Sequence, residues 1–345
     1  MPRESISKSV GRGRVSSIPE SYHRLHTGAT WAAGYDLAVR APAFAIVNPE
    51  SGAGATGRRW PALRAQVEAA VGELRWAFSE APGHATVLAR DAVEAGHGRV
   101  IAVGGDGTLG EVVTGVFGSA RPQAGLEPAV GLLPLGTGSD FARTLGIGSL
   151  PEALACLAAG KRRRIDLGRV AYIGHDGQPH ERLFVNVFSF GCGGAVSEAI
   201  SRSTKRLGGR LGFMLASARA LVGYRDVRAT LRVDDGPPES LAVTSYAVCN
   251  GRFFGGGMQV APQAQPDDGR FDVTLWHGFG LADFVLRRRH IYDGTHVRLP
   301  GTRTGHARRV TAESAERVLI DVDGEPLGRL PVTVELLPAA LDIIG

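Results

Sequence analysis

One short segment combines residue types that suit phosphate chemistry: Gly104, Gly105, Asp106, Gly107 and Thr108. Glycines let backbone amides approach phosphate oxygens, and the helix predicted directly after the segment adds partial positive charge at its N-terminus. The carboxylate between the glycines can face magnesium or a water molecule. A plain capped turn is the alternative, but it does not require this concentration of glycines at one strand-to-helix junction. The segment therefore predicts a phosphate-binding loop.

A second glycine-rich loop follows the next predicted strand. It contains Gly136, Thr137, Gly138 and Ser139 and leads into a helix predicted to begin at Asp140. By itself this loop is equally well explained as an N-capped helix. Ligands of open parallel sheets bind outside the carboxyl ends of the strands, so two such loops after neighbouring strands would converge on one ligand. Together they predict a nucleotide crevice.

An earlier loop, residues 52–57, reads GAGATG and fits the G-x-G-x-x-G pattern of dinucleotide-binding proteins, with Glu80 downstream. A dehydrogenase is therefore a rival interpretation. Against it, residues 48–51 separate the preceding strand from the first glycine, and hydride transfer gives no role to Asp106. The two arginines after the last glycine stand where a Walker A loop needs Lys and Ser or Thr. The loop is better interpreted as a flexible phosphate flap, with Arg58 neutralising charge on the nucleotide.

Alternating strand and helix patterns must position these loops. Strands are predicted at 44–47, 74–78, 100–103 and 130–133, and helices at 60–71, 85–95 and 109–117. This alternation is typical of an α/β domain in which helices cover a parallel sheet.

After residue 166 the pattern changes to longer apolar and β-branched runs separated by turn residues. Strands are predicted at 183–190, 229–233, 242–249 and 271–276, with one helix at 207–222. These runs indicate a mainly antiparallel β domain.

The patterns divide the chain into three parts. Residues 1–40 are interpreted as a mobile N-terminal extension, 41–166 as the nucleotide-binding domain, and 167–345 as the β-rich substrate domain. The C-terminal segment of the last part is expected to pack back on the first domain. The basic run 161–164 is interpreted as an exposed connector between the two domains.

The composition is that of a globular protein. The 345 residues are 43% hydrophobic and 21% charged, and no run approaches the roughly 18 apolar residues of a membrane-spanning helix. No signal-like segment is found, which predicts a cytoplasmic protein. The three cysteines are too widely spaced for a disulfide framework or a metal knuckle. A net charge of +5 permits binding to anionic membranes, nucleotides or nucleic acid without choosing among them.

Several motifs, in a fixed order, resemble the catalytic signature of the diacylglycerol kinase superfamily. They are residues 48–52 (NPESG), 104–108 (GGDGT), 133–137 (LPLGT), 140–143 (DFAR), 250–251 (NG), 255–258 (GGGM), 261–262 (AP), 268–269 (DG) and 323–326 (DGEP). The match extends over roughly residues 43–337 and is strongest to bacterial soluble diacylglycerol and lipid kinases. The resemblance implies transfer of phosphate from magnesium-bound ATP to a lipid hydroxyl, most simply that of diacylglycerol, at a membrane surface.

The resemblance also implies roles for individual residues. ATP contacts fall on Asn48, Pro49, Glu50, Ser51, Gly52, Ser79, Gly104, Gly105, Asp106, Gly107, Thr108, Glu111 and Thr137. A magnesium ion is implied at Asp268, completed by the carbonyl oxygens of Gln265 and Arg270, and this oxygen-only donor set suits a hard cation. Taken alone, that segment would be interpreted as an ordinary turn.

The Asp-Gly-Glu motif near the C-terminus is implied to hold the proton acceptor, which is Glu325 with Asp323 beside it. Taken alone, this motif too is a hairpin turn. Asp106 is an alternative base, and the sequence does not decide between the two carboxylates. The acyl chains are expected to lie against apolar residues of the second domain. Most of the candidates are expected to be core residues rather than lipid contacts. They are Phe188, Phe190, Phe213, Met214, Phe253 and Phe254.

Two positions depart from the family pattern. Ser139 stands where the family usually has Asn, and His84 stands where Asp is common. A Ser hydroxyl cannot supply the donor and acceptor pair of an amide. These departures motivate one alternative, a catalytically silent lipid-binding protein. A kinase of NAD or of a sugar phosphate is another alternative, because such kinases also use a Gly-Gly-Asp-Gly loop, but the C-terminal Asp-Gly-Glu and residues 255–262 argue against it. The expected partners are ATP, magnesium and a lipid, without nucleic acid, and a homodimer is an option that the sequence leaves open.

Overall fold

The structure, a computed structural model, describes residues 42–119, 127–136, 138–202 and 217–345. The predicted extension 1–40, Thr137 and most of the predicted helix 207–222 lie outside the described residues. The helices are α1 (Ala55–Val71), α2 (His84–Glu94), α3 (Asp106–Phe117), α4 (Asp140–Thr144), α5 (Leu150–Ala159), α6 (Cys192–Arg202), α7 (Leu281–Leu286) and α8 (Arg288–Tyr292).

The strands of the N-terminal half are β1 (Ala43–Val47), β2 (Leu74–Phe78), β3 (Arg99–Gly104) and β4 (Ala129–Pro134). The remaining strands are β5 (Arg162–Gly174), β6 (Pro179–Phe184), β7 (Val187–Gly191), β8 (Val227–Val233), β9 (Glu239–Val243), β10 (Ser245–Cys249), β11 (Phe271–Trp276), β12 (Thr302–Ala307), β13 (Arg309–Glu313), β14 (Leu319–Val322) and β15 (Glu325–Ile344).

The N-terminal half is built on a parallel sheet. Its strands lie in the order β4, β3, β1, β2, and each pairs in parallel with its neighbours. Strand β3 is a continuous apolar run that is buried over most of its length. Such a strand needs cover on both faces. Helices provide it in two pairs, since α1 contacts α5 and α2 contacts α3.

The C-terminal half is antiparallel, so the fold class predicted from the sequence is confirmed. Strands β12, β11, β10, β7, β14 and β15 lie side by side in that order. The predicted single strand 183–190 is in fact two strands, β6 and β7. The predicted strand 242–249 is likewise divided at Thr244, where the backbone changes its pairing partner from β8 to β11.

Two long strands join the halves. Strand β15 pairs with β14 at its beginning, with β13 in its middle and, in parallel, with β4 at its end. Strand β5 pairs with β15 along most of its length. The carboxyl end of the chain therefore lies within the sheet whose parallel strands lead into the glycine-rich loops.

The interpretation of residues 161–164 as an exposed connector is wrong for its arginines, which begin β5. Arg162 and Arg164 point to one side of the strand and form ion pairs with Asp342 at N–O distances of 3.3 and 3.0 Å. Arg163 points to the other side and binds Asp267. The two-residue period of a strand separates the charges in this way, so each guanidinium has a carboxylate partner.

Candidate active site

The three glycine-rich loops are in direct contact at the carboxyl ends of β1, β3 and β4. A Cβ added to Gly52 would lie 2.8 Å from the carbonyl oxygen of Leu135. One added to Gly136 would lie 2.4 Å from the Cα of Gly105, and 3.5 Å from the hydroxyl of Ser51. Only glycine allows this approach of backbone to backbone. The loops predicted to converge on a ligand are thus brought together.

Asn48 ties the first loop to the start of α3. Its Nδ2 donates to the hydroxyl of Thr108 at 3.1 Å, and its Oδ1 accepts the N–H of Glu50 at 3.1 Å. A Cβ at Gly104 would lie 2.4 Å from that threonine oxygen, so this position too requires glycine. The asparagine therefore fixes the first loop against the phosphate-binding segment.

Two other predicted contact residues border the crevice. Ser79 follows β2, and its N–H donates to the carbonyl of Val47 at 2.9 Å. Pro49 packs closely against Gly57, because a Cβ added to Gly57 would lie 3.0 Å from the Cβ of the proline ring. Arg58, predicted to neutralise the nucleotide, donates instead to the carbonyl of Ala53 at 3.4 Å.

Asp106 connects the two loops that follow β3 and β4. Its Oδ2 accepts the N–H of Asp140 at 2.9 Å, and its Oδ1 accepts that of Phe141 at 3.1 Å. Burial raises the pKa of the Asp106 carboxyl, and the two N–H groups and the charge of Arg143 oppose the rise. Each carboxylate oxygen thus already holds one backbone amide of α4.

Glu111 has a similar connecting role on the other side of α3. Its two oxygens accept the N–H groups of Gly83 and Ala85 at 2.9 and 3.1 Å. His84 Nδ1 accepts the N–H of Glu80 at 3.1 Å, so the imidazole supplies the acceptor that an Asp carboxylate would provide at this position. The loop after β2 is therefore held despite the unusual histidine.

Ser139 occupies a left-handed backbone conformation, with φ of 49°. Asn adopts this conformation more readily than Ser because its short amide can bond to nearby backbone. The buried hydroxyl of Ser139 has no hydrogen-bond partner within the part of the chain that the structure describes. The exchange of Asn for Ser therefore leaves the backbone path intact but loses the side-chain contacts.

The Asp-Gly-Glu turn lies between β14 and β15, and its Asp323 is partly buried. Asp323 Oδ1 accepts the N–H groups of Asn186 and Val187 at 3.0 and 2.9 Å, and Oδ2 accepts that of Val185 at 2.9 Å. These amides would otherwise continue a strand ladder, which is why the predicted strand 183–190 is broken. Burial raises the pKa of Asp323 to about 6, and the charge of Asp106 adds to the rise. The three N–H groups act in the opposite direction and lower the pKa.

Glu325 faces the phosphate-binding segment. A Cβ added to Gly107 would lie 3.6 Å from Glu325 Oε1. The other oxygen, Oε2, accepts from Arg182 Nη2 at 3.0 Å. Burial raises the pKa of the Glu325 carboxyl, Arg182 lowers it, and the charge of Glu111 raises it. One oxygen is thus held by an arginine while the other faces the start of α3.

Asp321 lies on β14, two residues before Asp323, and is buried. It accepts the hydroxyl of Ser197 at 2.5 Å and the N–H of Gly324 at 3.3 Å. Burial raises the pKa of Asp321 to about 7, and the charges of Asp323 and Glu325 add to the rise.

The raised pKa of Asp321 gives a testable dependence of stability on pH. An unfolded Asp has a pKa of about 3.9, so folding favours the protonated carboxyl. That contribution is complete below about pH 4 and is lost as the pH rises through about 7. An Asp321→Asn variant cannot ionise at this position. The difference in unfolding free energy, variant minus wild type, should therefore increase from pH 4 to pH 8 in urea titrations. An unchanged difference would show that Asp321 does not titrate in this range.

The segment carrying three consecutive glycines is held to α4. Gly255, Gly256 and Gly257 all have positive φ angles, of 64°, 83° and 99°. The N–H of Gly256 donates to Asp140 Oδ2 at 2.8 Å, and Asp140 Oδ1 accepts from Arg143 at 2.7 Å. The start of α4 is therefore shared between the crevice and the C-terminal half.

The predicted magnesium donors lie on one turn before β11. Asp268 Oδ2 accepts from the Arg270 guanidinium at 3.0 Å, and its Oδ1 accepts the N–H of the same residue at 3.2 Å. The arginine side chain is 49% exposed. Across the described ranges, no cluster of three or more His, Cys, Asp or Glu side chains is suited to a metal. One carboxylate and the carbonyls of Gln265 and Arg270 fit a hard cation by donor type, so this site stays a prediction.

Three side chains of the site were missed by sequence reasoning: Arg182, Ser197 and Asp321. A signal existed for the aspartate, because Asp321, Asp323 and Glu325 recur at every second residue. That spacing would place all three on one face of a continuous strand. Arg182 and Ser197 gave no comparable signal, since an arginine in a strand and a serine in a helix are ordinary.

Comparison with known proteins decides the family. The family model described as the diacylglycerol kinase catalytic domain matches residues 42–170, and the one described as the YegS C-terminal NAD kinase beta sandwich-like domain matches residues 186–345. A protein of Chromohalobacter salexigens named probable lipid kinase YegS-like is 32% identical over 75% of this chain and 79% of its own. This chain belongs to the diacylglycerol kinase family. The resemblance found in the motifs is confirmed.

Other members of this kinase family are similar over most of their length. A probable lipid kinase YegS-like protein of Pseudomonas putida is 31% identical over 82% of this chain and 91% of its own. The diacylglycerol kinase of Bacillus subtilis is 28% identical over 83% and 90%. A crystal structure of a putative diacylglycerol kinase from Bacillus anthracis has a TM-score of 0.69 and 23% identity, covering 88% and 94% of the two chains. That structure supports the fold.

Proposed function

We propose that this kinase transfers the γ-phosphate of magnesium-bound ATP to the hydroxyl of a lipid, with diacylglycerol as the first candidate. The observation that carries the proposal is the position of Glu325, whose Oε1 faces Gly107 at the start of the phosphate-binding helix. A carboxylate beside a phosphate loop is what phosphoryl transfer to an alcohol requires. The names of the relatives from Chromohalobacter salexigens and Bacillus subtilis support a lipid as the acceptor.

In this mechanism the chain acts mainly by positioning. The loops around Gly52, Gly105 and Gly136 would hold the phosphates through backbone amides, where a nucleotide-bound magnesium would neutralise phosphate charge. The oxygen of the lipid hydroxyl attacks the γ-phosphorus while Glu325 Oε1 accepts the hydroxyl proton, and ADP leaves. Arg182 keeps the glutamate oriented by holding Oε2. If a second magnesium is bound, Asp268 and the neighbouring carbonyls would hold it and would stabilise the turn before β11.

Glu111 and Asp106 support this proposal because each fixes one wall of the crevice. Glu111 holds the segment that follows Ser79, and Asp106 holds the start of α4, so a nucleotide would meet a crevice whose walls are already fixed. Preorganised donors of this kind stabilise developing charge without reorganising during the reaction.

An apolar cavity of about 80 Å³ provides a site for an acyl chain in the C-terminal half. Its lining is mostly apolar, with a few hydroxyls and backbone groups. The lining residues are Cys192, Gly193, Val196, Ser197, Ser217, Leu221, Thr244, Ser245, Phe254, Met258, Trp276, Phe279, Phe284 and Ile291. Phe254 was expected to contact lipid. Phe188 and Phe190 are buried core residues, as expected for most of the candidates, while Phe213 and Met214 lie outside the described residues.

The surroundings of the cavity suit an anionic membrane surface. Val222 follows the lining residue Leu221 and is 66% exposed, and Leu286, two residues after the lining residue Phe284, is 82% exposed. Arg289, on the next helix, has a side chain that is 92% exposed. Exposed apolar side chains beside cations match the boundary between headgroups and acyl chains. None of the helices within the described ranges is both long and apolar enough to cross a membrane.

A Leu286→Asp variant tests this surface. The change places a carboxylate where an apolar side chain would enter the lipid boundary, so binding to vesicles that contain phosphatidylglycerol should fall about tenfold, measured by sedimentation. Affinity for magnesium-ATP should not change, because the residue is not part of the crevice. Val87→Asp, on an exposed position of α2, is the matched control. Equal losses in both variants, or none in either, would exclude this surface.

The direct test of the function is a substrate panel. The purified protein is incubated with labelled ATP and diacylglycerol, sphingosine, ceramide or undecaprenol, with NAD as the comparison substrate. We expect label in a lipid and none in NAD. Phosphorylation of NAD alone would favour the alternative of a NAD kinase, and label in no acceptor would favour a silent lipid-binding protein.

A further inference from the structure

The buried carboxylate of Asp321 lies between the apolar cavity and the turn that carries Glu325. One of its oxygens accepts the hydroxyl of Ser197, which lines the cavity from α6. The other accepts the N–H of Gly324, the middle residue of the turn. A single side chain therefore contacts both the wall of the cavity and the base of the turn.

Close packing makes this contact stiff. Helix α6 starts against β14 so closely that a Cβ added to Gly194 would lie 2.4 Å from the carbonyl group of Leu319. A Cβ at Gly193 would lie 2.4 Å from the hydroxyl of Ser189 on β7. Interiors packed to this density transmit displacements rather than absorb them. A molecule in the cavity that presses on α6 would therefore act on Asp321 through Ser197.

The turn is a two-residue hairpin turn that also has contacts outside its own two residues. Asp323 and Gly324 have φ angles of 50° and 89°, so two consecutive residues lie in the left-handed region. Asp-Gly is one of the preferred sequences for a turn in which both central residues have positive φ. The turn is closed by the pairing of Val322 with Glu325. Further contacts are the three amides bound by Asp323, the N–H that Asp323 donates to the carbonyl of Val187 at 2.9 Å, and the N–H that Gly324 donates to Asp321. Loss of the last of these would remove a contact of Gly324, the residue directly before Glu325.

We propose that Asp321 is a positioning residue that links occupation of the cavity by an acyl chain to the geometry of the Glu325 turn. This inference rests on the lipid kinase function proposed above and adds to it a means of recognising the acyl chain. A lipid that fills the cavity would place Glu325 for proton transfer, and a lipid too short to fill it would not. Chain length should therefore affect kcat and not only KM.

The kinetic test compares dioctanoylglycerol with dibutyrylglycerol in mixed micelles. In the wild type, kcat should be at least about fivefold higher with the longer chains, a typical coupling between two sites. Ser197→Ala should bring the kcat ratio close to one and leave the ratio of KM values unchanged. Ser245→Ala is the matched control, since Ser245 lines the same cavity and its hydroxyl donates to the carbonyl of Phe190, at 3.5 Å, and not to Asp321.

Two variants of the aspartate separate positioning from general packing. Asp321→Asn can keep both contacts, because the Ser197 hydroxyl can accept from the amide while the amide oxygen accepts from Gly324. It should retain the preference in kcat for long chains, whereas Asp321→Ala should lose it. Equal kcat ratios in the wild type and Ser197→Ala would overturn the proposal.

Hydrogen exchange of the full chain gives a readout that does not need turnover. Peptides covering residues 319–328 should become more protected when dioctanoylglycerol is added to the wild type or to Ser245→Ala, and should not change in Ser197→Ala. Equal protection in Ser197→Ala would overturn the link even if the kinase is active. Protection without phosphorylation of any diacylglycerol would support the link and count against the proposed function.

Discussion

A Glu325→Gln variant is expected to bind magnesium-ATP within a few-fold of the wild type and to lose at least about two orders of magnitude in turnover. Glutamine keeps the size of the side chain, and its amide oxygen can still accept from Arg182. It has no basic oxygen to face Gly107, where Glu325 Oε1 lies. The nucleotide loops are untouched, so ATP affinity, measured by calorimetry, should separate from turnover with the lipid.

The matched control for this variant is Glu335→Gln on the same strand. Glu335 is also half-buried and also paired with an arginine, Arg169, at 2.5 Å, but it lies away from the glycine-rich loops. The same chemical change there should leave turnover near that of the wild type. A Glu325→Gln enzyme that phosphorylates its lipid at the normal rate would show that the Asp-Gly-Glu motif is only a turn.

Most of the parallel half of the fold could be predicted from the sequence, because each strand there is a short apolar run followed by glycines. Strand β3 and the helix after it were expected within a few residues of their observed bounds. The antiparallel half was harder. The break between β6 and β7 depends on Asp323, whose carboxylate takes three consecutive amides from a segment far away in the sequence. No local pattern contains that information.

The long strands β5 and β15 show the same limit. Arg162 and Arg164 looked like surface charge because their partner, Asp342, lies about 180 residues later in the chain. A run of arginines is usually solvated, and only the pairing of β5 with β15 brings the carboxylate beside them. The candidate site divides in a similar way: glycine-rich loops are visible in the sequence, whereas the side chains that fix those loops are recognised only from their contacts.

Asp106→Asn is the second substitution with a large expected effect, and its effect should differ in kind from that of Glu325→Gln. Each carboxylate oxygen of Asp106 accepts one backbone amide, from Asp140 and from Phe141. Asparagine has only one acceptor oxygen. Its NH₂ group would therefore face one of the two backbone N–H groups, and a donor cannot accept a hydrogen bond from another donor. The start of α4 should shift, and with it the loop around Gly136.

We therefore expect Asp106→Asn to keep the fold, to lower turnover by about a hundredfold or more, and to weaken magnesium-ATP binding as well. Asp234→Asn is the control, since one oxygen of Asp234 accepts two consecutive amides, from Arg308 and Arg309, and an asparagine oxygen can do the same. Calorimetry and turnover measured on both variants decide the assignment. If Asp106→Asn loses turnover with unchanged ATP affinity while Glu325→Gln loses little, then Asp106 is the base and Glu325 is not. If Asp106→Asn behaves as the wild type, the bridge between the two loops has no part in the reaction.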